Sequence, residues 1–212
     1  MVGRDVSRRG VARIAAGDIV LAGVIVLAGA LLLVLSIFQQ PARGQSPPRE
    51  PSALKSLVDQ NGARFSFERL KGRTLVMNFI FTTCPMSCPL QTRALAAVQR
   101  ALPPALHDRV QFVSVTVDPA HDRPPVLKQF ARQVGADLGN WSFVTGNDDE
   151  ITSLHQHFDA RVKKLDGGGF DHRVAVYLIE SHGRVIQRYA GDLDQARLVK
   201  EIGDVDRLYN RS

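Results

Sequence analysis

Two cysteines are the residues of this chain best suited to chemistry, and they are the only cysteines among its 212 residues. Cys84 and Cys88 lie in the stretch FTTCPMSCPL, and each is followed by a proline. At this spacing two thiols could form a disulfide, exchange disulfides with another protein or hold a metal ion. Residues i and i+4 of a helix have Cβ atoms about 5–6 Å apart, whereas a relaxed disulfide needs roughly 3.5–4.5 Å. A disulfide here is expected to be strained and readily reduced, and the pair suits a soft metal ion better.

The residues around the cysteines predict a buried strand followed by a helix. The nearly continuous apolar run TLVMNFIF, residues 74–81, is typical of a central parallel strand. The pattern LQTRALAAVQRAL that follows is typical of a helix, and Pro85 and Pro89 indicate where its first turn lies. Cys84 is then expected just before the helix and Cys88 in its first turn. Because a helix N-terminus favours thiolate over thiol, we expect both cysteines to be more acidic than a free cysteine.

A third metal ligand would have to come from one of six histidines. Four of them lie in predicted turns or on a predicted helix, where no ligand is expected: His107, His155, His157 and His182. His121 follows the second predicted strand, at the same end of the sheet as the cysteines. His172 follows the glycine-rich stretch LDGGGFD and precedes a strand, so its loop could fold over that end. Position alone leaves His172 as either a ligand or an ordinary loop residue, and Asp171 as either its hydrogen-bond partner or a solvated side chain.

The remaining patterns predict an α/β fold, a thioredoxin-like three-layer sandwich. ARFSFERL could form a short edge hairpin, and WSFVTG is expected to be short and extended. The other elements are read from these stretches: strand VQFVSVTV, helix VLKQFARQV, helix DDEITSLHQHF, hairpin VAVYLIE and RVIQRYAG, and helix DLDQARLVKEIGDV. The cysteines then lie at the carboxyl end of a central strand, where functional sites collect in such sheets.

The N-terminus predicts export of the domain. Residues 19–38 carry no charge and match the length of a transmembrane helix. Four arginines against two aspartates in residues 1–18 indicate a cytoplasmic N-terminus. A cleaved signal peptide and a twin-arginine signal are the alternatives, and both would also export the domain. Residues 39–52 predict a proline-rich linker and residues 53–212 the folded domain, which we expect in the periplasm, tethered to the inner membrane.

The charge distribution argues against nucleic acid as a partner. The formal net charge is +6, and residues 1–44 contribute +3 of it through five arginines and two aspartates. The remainder holds no cluster of basic residues interleaved with aromatic residues, which is the usual footprint of nucleic-acid binding.

The motifs FTTCPMSCP, VTVDPAHDRP, WSFVTG and DHRVAVYLIE resemble, in order and spacing, those of the Sco/SenC family over about residues 50–205. These are membrane-anchored, thioredoxin-like copper proteins. The resemblance implies one copper ion, as Cu(I) or Cu(II), bound by Cys84, Cys88 and His172, with Asp171 beside the histidine. The family loop usually reads DPxRDTP, whereas His121 and Arg123 occupy its Arg and Thr places here. His121 is therefore a candidate transient ligand.

The resemblance also implies a function. Such a protein delivers copper to the binuclear copper site of cytochrome c oxidase by thiolate ligand exchange and is not primarily an enzyme. Its implied partners are the copper-bearing oxidase subunit and other periplasmic copper chaperones. The alternatives are a dedicated thiol–disulfide oxidoreductase that keeps the thiols of that site reduced, with Cys84 as the attacking thiolate, and a redox or copper sensor. A peroxidase fits poorly, because it would need one acidic cysteine near Arg and Thr with a resolving thiol.

Overall fold

The computed structural model describes residues 51, 54–166, 169–172, without the side chain of His172, and 174–209. The predicted cytoplasmic segment 1–18, the predicted span 19–38 and nearly all of the predicted linker 39–52 lie outside the described residues. Across the part that is described, no helix combines the length and the apolar character needed to cross a membrane.

Five strands form the central sheet, and two more form a separate hairpin. The strands of the described residues are β1 Thr74–Ile80, β2 Val110–Thr116, β3 Trp141–Val144, β4 Val162–Lys164, β5 Phe170–His172, β6 Ala175–Ile179 and β7 Val185–Ala190. The central sheet has the order β3-β2-β1-β6-β7, in which the first three strands are parallel and the last two antiparallel. Every residue of β1 and β2 is buried, as their apolar sequences predict.

In the described part of the chain, four α-helices cover this sheet: α1 Ser87–Ala101, α2 Pro124–Val134, α3 Asp148–His157 and α4 Gln195–Tyr209. Asn147 caps α3, because its side chain accepts a hydrogen bond from Glu150 N. Gly135 ends α2 in the left-handed conformation, with φ of 75°.

The helices lie on both faces of the sheet, which gives three layers. Successive strand residues point to opposite faces. Asn78 of β1 hydrogen-bonds Gln91 of α1, whereas the neighbouring Phe79 packs against His155 of α3 with ring centroids 5.3 Å apart. Helix α4 packs against α1, on the face opposite α3. The predicted thioredoxin-like sandwich is confirmed, and residues 48–212 form a compact unit with its own apolar core.

Two segments differ from their predictions. The stretch predicted as an edge hairpin forms only an isolated bridge between Val58 and Arg64, followed by a 3-10 helix at Phe67–Leu70. The short strands β4 and β5, which lie on either side of the glycine-rich stretch, pair as an antiparallel hairpin that the sequence patterns did not predict. Gly169 adopts φ of 82° directly before β5, where a side chain would be strained.

Candidate metal centre

The cysteines lie at the carboxyl end of β1, as predicted. After the strand ends, Cys84 N donates a hydrogen bond to Phe81 O at 3.2 Å and so closes a tight turn. Helix α1 begins at Ser87, and no side chain caps its N-terminus. Cys84 therefore precedes the helix and Cys88 lies in its first turn, with the helix amides directed towards the loop.

The two thiols occupy different environments within one turn of chain. Neither cysteine is in a disulfide; Cys84 is 8% exposed and Cys88 is fully buried. Cys84 Sγ accepts a hydrogen bond from Cys88 N at 3.3 Å and lies 3.2 Å from Ser87 Oγ. The sulfur of Cys84 thus has two polar neighbours that can stabilise negative charge, and Cys88 lies deeper in the core than Cys84.

This difference separates the acidities of the two thiols. Burial acts to raise the pKa of Cys84, but hydrogen bonds from Ser87 and from the amides of Cys88 and Met86 outweigh it and lower the pKa. Burial raises the pKa of Cys88 well above that of an ordinary thiol, and the neighbouring Cys84 charge adds to the effect. The prediction that both cysteines are acidic is therefore correct for Cys84 and wrong for Cys88. The helix N-terminus does not compensate for complete burial of the second sulfur.

The β4–β5 hairpin lies at the same end of the sheet as the cysteines. Phe170 of β5 packs against Phe81, three residues before Cys84, with ring centroids 5.5 Å apart. In β5 the backbone of His172 pairs with Val162, and the exposed Asp171 pairs with Lys163. The side chain of His172 is outside the described structure, so its role as a ligand stays a prediction, as does that of Asp171.

His121 lies beside the cysteine loop but does not complete a metal site with it. Its Nδ1 lies 3.1 Å from Asp122 Oδ1 and 3.4 Å from Thr82 Oγ1. Among the side chains that the structure describes, no three or more His, Cys, Asp or Glu residues are grouped so as to hold a metal ion. Of the three predicted ligands, the two cysteines are the ones whose side chains the structure describes.

The other four histidines have contacts of their own. His107 Nε2 lies 3.1 Å from Leu102 O, and His182 Nδ1 lies 2.8 Å from Glu180 Oε2. His155 packs on Phe79 and His157 on Phe158.

Asp122 is a residue at the site that the sequence prediction missed. It is fully buried and accepts hydrogen bonds from Thr82 N at 3.0 Å, from Thr116 Oγ1 at 2.6 Å and from Thr82 Oγ1. Asp122 therefore ties the loop that carries Cys84 to the end of β2. An acidic residue in the loop after a buried strand was the available signal, but only tertiary structure shows which other loop it holds.

Asn78 is a second missed residue, and it holds the first turns of α1 against the sheet. This side-chain amide in a mostly apolar strand donates to Gln91 Oε1 at 3.2 Å and accepts from Ser114 Oγ at 2.7 Å. Its amide nitrogen also lies 3.5 Å from Thr92 Oγ1, which in turn donates to Cys88 O at 2.7 Å. The position of the inner cysteine is thereby fixed by buried polar contacts to two strands.

Comparison with known proteins places this arrangement in a family. The SCO1 protein homolog of Bacillus subtilis (strain 168) is 36% identical over 136 residues, which cover 63% of this chain and 70% of that protein. The structure of BsSco, a member of the Sco family of cytochrome c oxidase assembly proteins in which a disulfide switch was identified, matches with a TM-score of 0.64 and 30% identity. That match covers 78% of this chain and 99% of BsSco.

A copper-containing structure shares the fold. Bradyrhizobium japonicum ScoI with copper bound matches with a TM-score of 0.64 and 24% identity, over 74% of this chain and 99% of that one. The SCO1/SenC family model matches residues 51–205, which include the whole sheet and both cysteines. Given this match together with the cysteine loop at the carboxyl end of β1, the chain belongs to the SCO1/SenC family.

Proposed function

We propose that this chain binds one copper ion, as Cu(I) or Cu(II), through Cys84, Cys88 and His172. The observation that carries the proposal is a pair of reduced thiols, one helical turn apart, at the start of α1. Thiolate ligands select Cu(I) or Zn(II), and an added imidazole suits copper in either oxidation state. The copper named for a structure of the same fold supports the choice of metal.

The donor set fits an ion that must be both held and released. Cys84 ionises more readily than an ordinary cysteine, whereas Cys88 gives up its proton less readily, because burial raises its pKa, and it must lose that proton to bind copper. Copper uptake therefore releases a proton from Cys88, and loss of copper returns one. Because protons compete with copper for the sulfur of Cys88, copper is held less tightly, although both sulfurs are still ligands.

We propose that the copper is cargo for the binuclear copper site of cytochrome c oxidase. In each exchange step a thiolate of the copper-bearing subunit forms a bond to copper as the bond to one cysteine of this chain breaks. The oxidation state of copper is unchanged, and the released Cys88 takes up a proton. BsSco is described as a member of the Sco family of cytochrome c oxidase assembly proteins, and this supports the oxidase as the client.

The same proposal places the domain outside the cytoplasm. The uncharged run at residues 19–38 and the arginines before it support an anchor in the inner membrane with the domain in the periplasm. Accessibility of Cys84 to a membrane-impermeant maleimide in intact spheroplasts tests this orientation, because labelling only after lysis would contradict it.

The unequal thiols favour a second candidate function, reduction of a disulfide in that client. The Cys84 thiolate would attack a client sulfur and form a mixed disulfide, releasing one client thiolate. Cys88 would then lose its proton and attack Cys84 Sγ, releasing the second client thiolate. The client gains two electrons and this chain becomes a disulfide, so each turnover requires reduction by an external dithiol donor. The disulfide switch identified in BsSco supports this candidate.

Copper stoichiometry and absorption of the fragment 45–212 test the first function. We expect one copper per chain and a thiolate-to-Cu(II) charge-transfer band that is lost in Cys84→Ala and in Cys88→Ala. His172→Ala should change the band and weaken Cu(II) binding. His182→Ala is the matched control, because its turn joins β6 to β7 at the opposite end of the sheet. Copper at background level in the wild-type fragment would refute the copper function.

A separate measurement tests the second function. The fragment with both thiols reduced is mixed with a disulfide-bonded peptide carrying the client cysteines, and products are separated after acid quenching. A Cys88→Ala variant that traps a mixed disulfide through Cys84 would support reductase chemistry. Absence of any mixed disulfide, with copper binding intact, would leave copper transfer as the function.

A further inference from the structure

We infer that the hydroxyl of Ser87 sets the preference of this site for Cu(I) over Cu(II), by donating a hydrogen bond to the sulfur of Cys84. The inference rests on the proposed copper function and adds a residue that touches neither the client nor the metal. Ser87 is the first residue of α1 and lies between the two cysteines.

The geometry gives the direction of this hydrogen bond. Ser87 Oγ lies 3.2 Å from Cys84 Sγ, and either atom could donate when the sulfur is protonated. An ionised or metal-bound sulfur carries no proton, so the hydroxyl must then be the donor. The second donor to this sulfur is the amide of Cys88 at 3.3 Å, which a side-chain substitution cannot remove. Ser87 is thus the donor that can be tested.

The position of Ser87 favours this role over that of a helix cap. Met86 holds the N-cap position, and its side chain makes no capping hydrogen bond. The Ser87 hydroxyl lies within hydrogen-bonding distance of Cys84 Sγ. Cys84 Sγ also accepts a hydrogen bond from Cys88 N, an amide of the first helical turn. Two donors therefore converge on one nearly buried sulfur.

Charge determines which oxidation state such donors favour. Two thiolates and Cu(I) carry a net charge of −1, whereas the same ligands with Cu(II) are neutral. A hydrogen bond to sulfur stabilises the more negative complex and reduces electron donation from sulfur to Cu(II). Hydrogen bonding around a cysteine sulfur is a recognised control of copper redox potential. Removal of the donor should therefore shift the preference towards Cu(II).

The test compares Ser87→Ala with Ser87→Thr, which keeps a hydroxyl, in the fragment 45–212. Dissociation constants for Cu(I) and Cu(II) are measured separately by competition with chelators, and the charge-transfer band is recorded. We expect Ser87→Ala to reduce the ratio of Cu(I) to Cu(II) affinity by about tenfold, equivalent to about 59 mV for a one-electron couple. The band should move to longer wavelength, and Ser87→Thr should keep both properties near wild type.

The outcomes separate this inference from the function on which it rests. Equal weakening of Cu(I) and Cu(II) binding in Ser87→Ala would mean that the serine only stabilises the loop, and would overturn the inference. An unchanged ratio and band would overturn it as well. Wild-type fragment that takes up no copper would refute the proposed function itself. Thermal unfolding of both metal-free variants checks that the first turn of α1 is retained.

Discussion

Substitution of Asp122 by asparagine should weaken the whole domain, because a fully buried carboxylate holds the cysteine loop in place. Its Oδ2 accepts from Thr82 N at 3.0 Å and Thr116 Oγ1 at 2.6 Å, and its Oδ1 accepts from Thr82 Oγ1 and lies 3.1 Å from His121 Nδ1. Asparagine has nearly the same shape but carries no charge and keeps only one acceptor oxygen.

The expected loss follows from counting the bonds that change. Hydrogen bonds to a charged group contribute about 1.5–3 kcal/mol to stability, and those between neutral groups contribute about 0.5–1.5 kcal/mol. Each hydrogen bond whose charged acceptor becomes neutral therefore loses about 1 kcal/mol. The bonds from Thr82 N, Thr82 Oγ1 and Thr116 Oγ1 are the shielded ones. The bond to His121, whose side chain is half exposed, is left out of the sum. Asp122→Asn should therefore lower the free energy of unfolding by about 3 kcal/mol.

Urea denaturation of the metal-free fragment 45–212 at pH 7 measures this loss, and thermal unfolding should show a decrease of roughly 6–12 °C in Tm. Asp148→Asn is the matched control, because that aspartate is exposed in the first turn of α3 and should change stability by about 0.3–1 kcal/mol. Asp122→Ala should lose more than Asp122→Asn, since it leaves buried donors with no acceptor. A loss below about 1 kcal/mol for Asp122→Asn would refute this account of the loop.

Three further predictions concern other parts of the domain. At pH 7 iodoacetamide should modify metal-free Cys88→Ala, which retains Cys84, faster than Cys84→Ala, because the pKa of Cys84 is lowered and that of Cys88 is raised; equal rates would contradict this. Asn78→Leu should lose about 2–4 kcal/mol in urea denaturation, because it leaves buried hydrogen-bonding groups unsatisfied, and a smaller loss than 1 kcal/mol would count against the buried contacts described above. Burial opposes ionisation of Glu180, but hydrogen bonds from the imidazole of His182 and from neighbouring amides hold the pKa of Glu180 below its ordinary value. Its contribution to stability should be complete above about pH 4.3 and lost as the pH falls through the lower folded value, so Glu180→Gln should flatten the acid side of the stability profile.

Local sequence patterns were sufficient to predict the elements that carry the cysteines. An apolar run of strand length predicted β1, and the tolerance of proline only at the start of a helix predicted the place of Cys88 in the first turn of α1. Both signals depend on residues next to one another in the chain. The same holds for the β6–β7 hairpin, whose turn at Ser181–Gly183 was read from its residue types.

Long-range contacts account for what the sequence did not predict. The weak acidity of Cys88 follows from its complete burial. The position of the loop that carries Cys84 depends on Asp122, which lies 40 residues after its hydrogen-bond partner Thr82. The β4–β5 hairpin was missed for a different reason. Its strands have only three residues each and include polar side chains, so they show no strand periodicity around the glycines.

The difference between the two sulfurs bears on both candidate functions, and for that reason cysteine substitutions alone do not separate them. Copper transfer and disulfide exchange each need Cys84 as the more acidic thiol and Cys88 as the second sulfur. A histidine ligand is needed only by the metal, because thiol exchange proceeds between sulfur atoms alone. His172 is therefore the residue at which the two functions diverge. If His172→Ala keeps disulfide exchange and loses Cu(II) affinity, the β4–β5 hairpin serves copper binding. The cysteine pair at the start of α1 is then the part of the site that both chemistries share.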